Sequence, residues 1–128
     1  MKGQSLFIKN HLGERLEVLV RKSDKKGKFP AILLVPGFGM DLHEYNGSFD
    51  EIAKVLVNEG FLTLQFSFAG CGKSEGDFVE MTFRRQAAQV RDMFEYLVKR
   101  EDVDKKRIGV IAQSCGVPST STELLELN

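Results

Sequence analysis

Ala31-Ile32-Leu33-Leu34-Val35-Pro36-Gly37 is an uninterrupted apolar run closed by a proline and a glycine. It is too short for a helix, and a strand with no polar residue on either side of its pleat is one buried on both faces. That pattern points to a parallel sheet. The residues downstream repeat it. Ile52, Ala53, Val55 and Leu56 stand at helical spacing within 49–59, with Ser48 as N-cap and Gly60 as stop. Residues 62–66 form a second apolar strand, and Ala87, Val90, Met93, Phe94 and Leu97 recur at three and four through a helix over 83–99, capped by Thr82. A polar linker over 100–107 leads to a third apolar strand, Ile108-Gly109-Val110-Ile111-Ala112. Upstream, 5–8 and 15–21 suit the two strands of an antiparallel hairpin around turn residues 10–13, followed by a charged, solvated loop over 22–28.

Strands alternating with helices predict an α/β fold: a mostly parallel sheet with helices on both faces, preceded by an antiparallel hairpin. The 128 residues suit a single domain over 1–128 that buries roughly two-thirds of its unfolded surface. The 18 Lys and Arg balance the 18 Asp and Glu, so bulk charge points to neither nucleic acid nor an anionic membrane. Cys71 and Cys115 are far apart and form neither a metal-ligand cluster nor a disulfide framework. The start of the chain has no apolar core of a leader, and no stretch is apolar enough to span a bilayer. The expectation is a cytoplasmic protein without metal or cofactor.

The residues after the last strand carry the chemistry. Ala112-Gln113-Ser114-Cys115-Gly116 fits the nucleophile elbow G-x-S-x-G with alanine for the first glycine. A serine on a sharp strand-to-helix turn sits in a strained backbone, and small residues two before and two after it avoid clashes with the neighbouring strand and helix. Centring the elbow on Cys115 instead would require small residues at Gln113 and Val117. Ser114 is therefore the nucleophile candidate. An acyl transfer also needs two backbone N–H groups aimed at the developing oxyanion. Phe38, in the turn Pro36-Gly37-Phe38-Gly39, and Cys115 are placed to supply them, with Gly37, Ala112, Gln113 and Gly116 as turn support.

A third segment, Phe66-Ser67-Phe68-Ala69-Gly70-Cys71-Gly72-Lys73-Ser74-Glu75-Gly76, lies between these two. With it the chain resembles the α/β-hydrolase superfamily, whose corresponding segment reads D-x-R-G-x-G-x-S-x-G. The likeness is to esterases, monoacylglycerol lipases and serine-aminopeptidase-like members, and it covers the N-terminal portion of that fold. It implies a serine hydrolase acting on an ester or related acyl substrate through an acyl-enzyme. Several positions depart from the pattern: Ser67 and Ala69 replace aspartate and arginine, Pro36 stands where histidine is common, and Val117-Pro118 follow the elbow.

In this superfamily the acid and then the histidine follow the serine. Here no histidine and no aspartate follow Ser114; His11 falls in the hairpin turn and His43 before the first helix. The chain alone is therefore expected to be inactive. An elbow strand left at an edge invites pairing, so dimerisation, or a complementing chain, through Ile108 to Ala112 is expected. Two other classes compete. One is a non-catalytic α/β scaffold that works by association. The other is a nucleotide-binding protein, since 67–74 imitate the phosphate loop G-x-x-x-x-G-K-[ST] in all but its first glycine.

Overall fold

The computed structural model describes residues 2–113. Within them the chain begins with β1 (Lys2–Lys9) and β2 (Arg15–Lys22), an antiparallel hairpin. Its turn is organised by Asn10, whose side-chain oxygen accepts from the N–H groups of Leu12 and Glu14 at 3.0 and 2.9 Å. A short polar side chain bonding its own backbone is the expected device at such a site. The chain then runs through β3 (Phe29–Val35), α1 (Ser48–Asn58), β4 (Leu62–Phe66), α2 (Phe83–Lys99) and β5 (Val103–Ala112). The sheet order is β1-β2-β4-β3-β5.

The sheet is mixed, which corrects the expectation of a mostly parallel one. β3 pairs in parallel with β4 and β5, whereas β2 pairs antiparallel with both β1 and β4. The hairpin does not stand apart but continues the sheet, because β2 presents Leu16, Val18 and Val20 to the same core as Leu62, Leu64 and Phe66 of β4.

Alternation along β3 sorts the two layers. Ala31, Leu33 and Val35 face the core that holds Val90, Met93 and Leu97 of α2. Leu34, with Ile32 beside it, faces Phe49 and Ala53 of α1. The helices thus cover opposite faces, as expected. Each Leu or Phe fully buried this way contributes about 1.5–3 kcal/mol relative to exposure.

Both helices follow their sequence signals, with one change. Thr82 caps α2 by accepting from the Arg85 N–H at 3.1 Å. At α1 the cap is Gly47, left-handed at φ 72°, and Ser48 is already the first helical residue. The far end of α1 closes as foreseen: Gly60 has φ 96°, its N–H reaches Val57 and the Phe61 N–H reaches Leu56, a Schellman closure. β5 corrects the reading of 100–107 as a linker. It begins at Val103, and its charged residues 104–107 lie on an edge strand where side chains reach water.

Candidate active site

Strand order decides where a site can form. The chain leaves β3 toward β4 across one face and reaches β5, on the other side of β3, across the opposite face. In open α/β sheets the crevice beyond the carboxyl ends of strands at such a reversal is the usual ligand position. The turn after β3 and the approach to Ser114 after β5 both sit at this point. Val35 pairs with Ala112, and the Gln113 N–H donates to the Val35 carbonyl at 3.1 Å. Ala112 and Gln113 are thereby held against the start of the Pro36–Gly39 turn. Ser114, Cys115 and Gly116 lie outside the described residues.

The turn after β3 exposes one residue above a fixed base. Pro36 and Gly37 are buried, Phe38 and Gly39 exposed. Gly39 takes φ 74°, a left-handed position that glycine accepts without strain. The Met40 N–H closes the turn on the Gly37 carbonyl at 3.2 Å. Among the described residues nothing accepts the Phe38 N–H. The Gly37 N–H donates to Oε2 of Glu44 at 2.8 Å. Glu44 is buried at 8 % exposure, and its backbone has φ 59° and ψ −171°, a region that is almost glycine-only and costs about 1–3 kcal/mol for other residues. Sequence reading passed over this residue, because nothing local to it signals a partner seven positions upstream.

Beneath the turn, Leu42 is pinned at both ends of its backbone. Its N–H donates to Ser67 Oγ at 2.8 Å and its carbonyl accepts from Gln65 Nε2 at 2.7 Å. Gln65 in turn meets Arg21 and Asp50. Burial pushes the Asp50 carboxyl up, but hydrogen bonds from Arg21, His43 and Gln65 outweigh it and hold the group below the usual carboxylate range.

The glycine-rich segment after β4 is a brace. Ser67, where the resemblance leads to an expected aspartate, donates its hydroxyl to Glu17 Oε2 at 2.8 Å, so Glu17 of β2 supplies the carboxylate that the serine lacks. The same oxygen accepts the Lys73 N–H at 2.7 Å. Ala69, at the expected arginine, donates its N–H to Gln89 of α2 at 2.7 Å. Gly70 and Gly72 have φ 84° and 52°, and a Cβ on Gly70 would stand 2.4 Å from the Phe78 nitrogen. These amides serve the fold. They do not form a phosphate cradle, and the next long helix starts only at Phe83. Cys71 within the segment is buried, which pushes its thiol up and away from nucleophilic reactivity.

Each histidine is paired with a carboxylate on a helix. His11 meets Asp92 of α2 at 2.7 Å. His43 meets Asp50 at 2.7 Å and lines a depression over β1 and β2 with Leu6, Phe7 and Val18. Beside the turn itself, Phe38, Met81, Thr82, Phe83 and Gln86 line an open apolar depression of about 310 Å³. The Phe38 ring meets Phe78 edge-on, centroids 5.3 Å apart.

No family model matches the chain. Two curated Escherichia coli proteins, each described as an uncharacterized 31.7 kDa protein in the traX-finO intergenic region, are 27 % identical over 106 residues, 82 % of this chain. The chain spans only 36 % of their length. Among solved structures, Est1E from Butyrivibrio proteoclasticus with bound ferulic acid superposes with a TM-score of 0.85 at 21 % identity, covering 95 % of this chain and 47 % of that one. The α/β hydrolase GrgF from Penicillium sp. sh18 gives 0.83 at 22 % identity, covering 96 % and 41 %. The Pyrococcus furiosus esterase Pf2001 gives 0.82 at 21 %, covering 99 % and 48 %. Among the described residues no helix is long and apolar enough to cross a membrane. Coverage of nearly all of this chain but less than half of each solved neighbour, together with the strand order and the two turns, gives the chain the fold of the N-terminal portion of an α/β hydrolase.

Proposed function

We propose that the chain carries the nucleophile and oxyanion half of a serine hydrolase that cleaves an ester or related acyl substrate. The observation that carries this reading is the Gln113 N–H bond to the Val35 carbonyl, which sets the residue before Ser114 against the start of the turn bearing the Phe38 N–H. In the proposed reaction Ser114 Oγ attacks the acyl carbon and its proton passes to a base. The carbonyl oxygen becomes an oxyanion held by the Phe38 and Cys115 N–H groups. Collapse expels the alcohol, which takes up the proton, and water then releases the acid from the acyl-enzyme by the same path. The depression at Phe38, Met81 and Phe83 suits a compact apolar group on the substrate.

The reading takes its general base from outside these 128 residues, because the superfamily the chain resembles places the histidine after the nucleophile and no histidine follows Ser114 here. This chain would then be the N-terminal part of the catalytic domain. The test uses the protein as its gene expresses it. A fluorophosphonate is expected to label Ser114, a short-chain p-nitrophenyl ester to be hydrolysed, and Ser114→Ala to abolish both. Absence of labelling and turnover would support a non-catalytic α/β scaffold that works by association, for which the outer edge of β5, without a strand partner among the described residues, is the natural surface.

A further inference from the structure

We infer that Glu44 is a positioning residue that aims the Phe38 N–H at the oxyanion, an inference that rests on the hydrolase reading above. Three observations converge on it. Glu44 holds a backbone conformation that glycine would adopt freely and glutamate does not. Its side chain is buried and, among the described residues, makes neither an ion pair nor a cap for the short helical turn at Tyr45–Gly47 that follows it. The one hydrogen bond of its carboxyl group among them is from the Gly37 N–H, at 2.8 Å. A buried carboxyl group without a cation is unfavourable in a fold, and so is a strained backbone. The sequence retains both at the same residue, for a single contact with the turn.

Peptide geometry explains what that contact achieves. Each peptide unit is planar, so fixing one of its polar groups fixes the other. The Glu44 bond to the Gly37 N–H sets the plane between Pro36 and Gly37. The Met40 bond to the Gly37 carbonyl sets the next plane, whose opposite corner is the Phe38 N–H. With both planes flanking Gly37 fixed, the Phe38 N–H direction is determined before substrate arrives. Oxyanion stabilisation depends on donors oriented in advance. Without Glu44 the first plane loses its hydrogen bond, and the Met40 bond alone is left to set the second.

Three substitutions in the protein as its gene expresses it test this. In Glu44→Gln the amide oxygen still accepts from Gly37, and kcat is expected within about threefold of wild type. In Glu44→Ala and Glu44→Gly the acceptor is gone, and kcat on a p-nitrophenyl ester is expected to fall about 10- to 100-fold with KM changed less than about threefold, by analogy with loss of an oxyanion donor. Glu44→Gly also relieves the backbone, so its melting temperature is expected to stay close to wild type, which separates positioning from loss of fold. Wild-type kcat in Glu44→Gly overturns the proposal. If the wild-type protein hydrolyses nothing, the hydrolase reading fails instead. The anchor itself is then read from the Gly37 amide proton by NMR, expected to move upfield in Glu44→Gly and to hold in Glu44→Gln. An unmoved resonance in Glu44→Gly overturns the anchor.

Discussion

The two glycine-rich turns, after β3 and after β4, look alike in sequence and are built for opposite purposes. In the turn after β4, the N–H groups of Ala69, Gly70, Lys73, Ser74 and Glu75 all donate within the protein, to partners on β2, α2 and the segment itself. In the turn after β3, Phe38 is exposed at the tip with an N–H that nothing accepts among the described residues and one buried carboxyl group below. The segment that matches a family pattern over the most positions is thus the scaffold, and the sparser one is the candidate site. A functional backbone donor has to be left unused by the fold, so richness of internal hydrogen bonding marks a brace.

The largest expected effect contrasts glycines. Gly70→Ala forces a Cβ against Phe78 backbone at 2.4 Å in a left-handed conformation, and is expected to cost roughly 3–5 kcal/mol by urea denaturation. Gly39→Ala meets nothing nearer than the Phe78 ring at 4.0 Å and is expected to cost about 1 kcal/mol, the backbone penalty alone. Equal losses would break the distinction between brace and open turn. Next, Glu17→Ala removes the acceptor of both the Ser67 hydroxyl and the Lys73 N–H; a loss of about 2–3 kcal/mol is expected, since two donors are left without it.

Asp50 sharpens the comparison through pH, because it supports the loop beneath the first turn. Folding lowers its pKa, so the stability it contributes is complete above the ordinary carboxylate value of 3.8 and is lost as pH falls through the lower, folded value. The urea midpoint is expected to hold from neutral pH down to about 5 and then to fall. Asp50→Asn should flatten that fall and remove about 1–2 kcal/mol at neutral pH. A fall of unchanged steepness in the variant would assign the acid sensitivity elsewhere. The smallest effect is expected at Phe38→Ala. Its ring is more than half exposed and touches Phe78 only edge-on, so the change in stability should stay within about 1 kcal/mol.

Much of this architecture is legible in sequence because periodicity is a local signal. The β4 strand, α2 and its Thr82 cap follow from spacing and cap chemistry alone. Where several local signals compete, the reading slips. Ser48 carries the better cap side chain, yet Asn46 and Gly47 already turn left-handed and Gly47 takes the position. The charged residues 104–107 read as a linker because an edge strand need not be apolar. Glu17 and Glu44 were invisible for a different reason. Each is defined by partners brought to it in space, and a glutamate in a strand or loop is ordinarily a solvated residue. The turn bearing Phe38 was recognised from its residues, but not what holds it. The elbow serine lies outside the described residues, and so its reading still rests on sequence pattern and on the strand that leads to it.

The pairing of β3 with β5 has a consequence for the order of folding. Leu33 lies opposite Val110, so this contact closes a loop containing both helices and β4, whereas the hairpin closes over the five residues 10–14 between Lys9 and Arg15, a turn organised by Asn10. Closure entropy grows with loop length, and non-local pairings form slowly. The hairpin and the β3–α1–β4 unit are therefore expected to assemble first. The crevice becomes a crevice only when β5 arrives, and until then the turn beneath Phe38 has its Glu44 anchor and β4 on one side but no strand on the other.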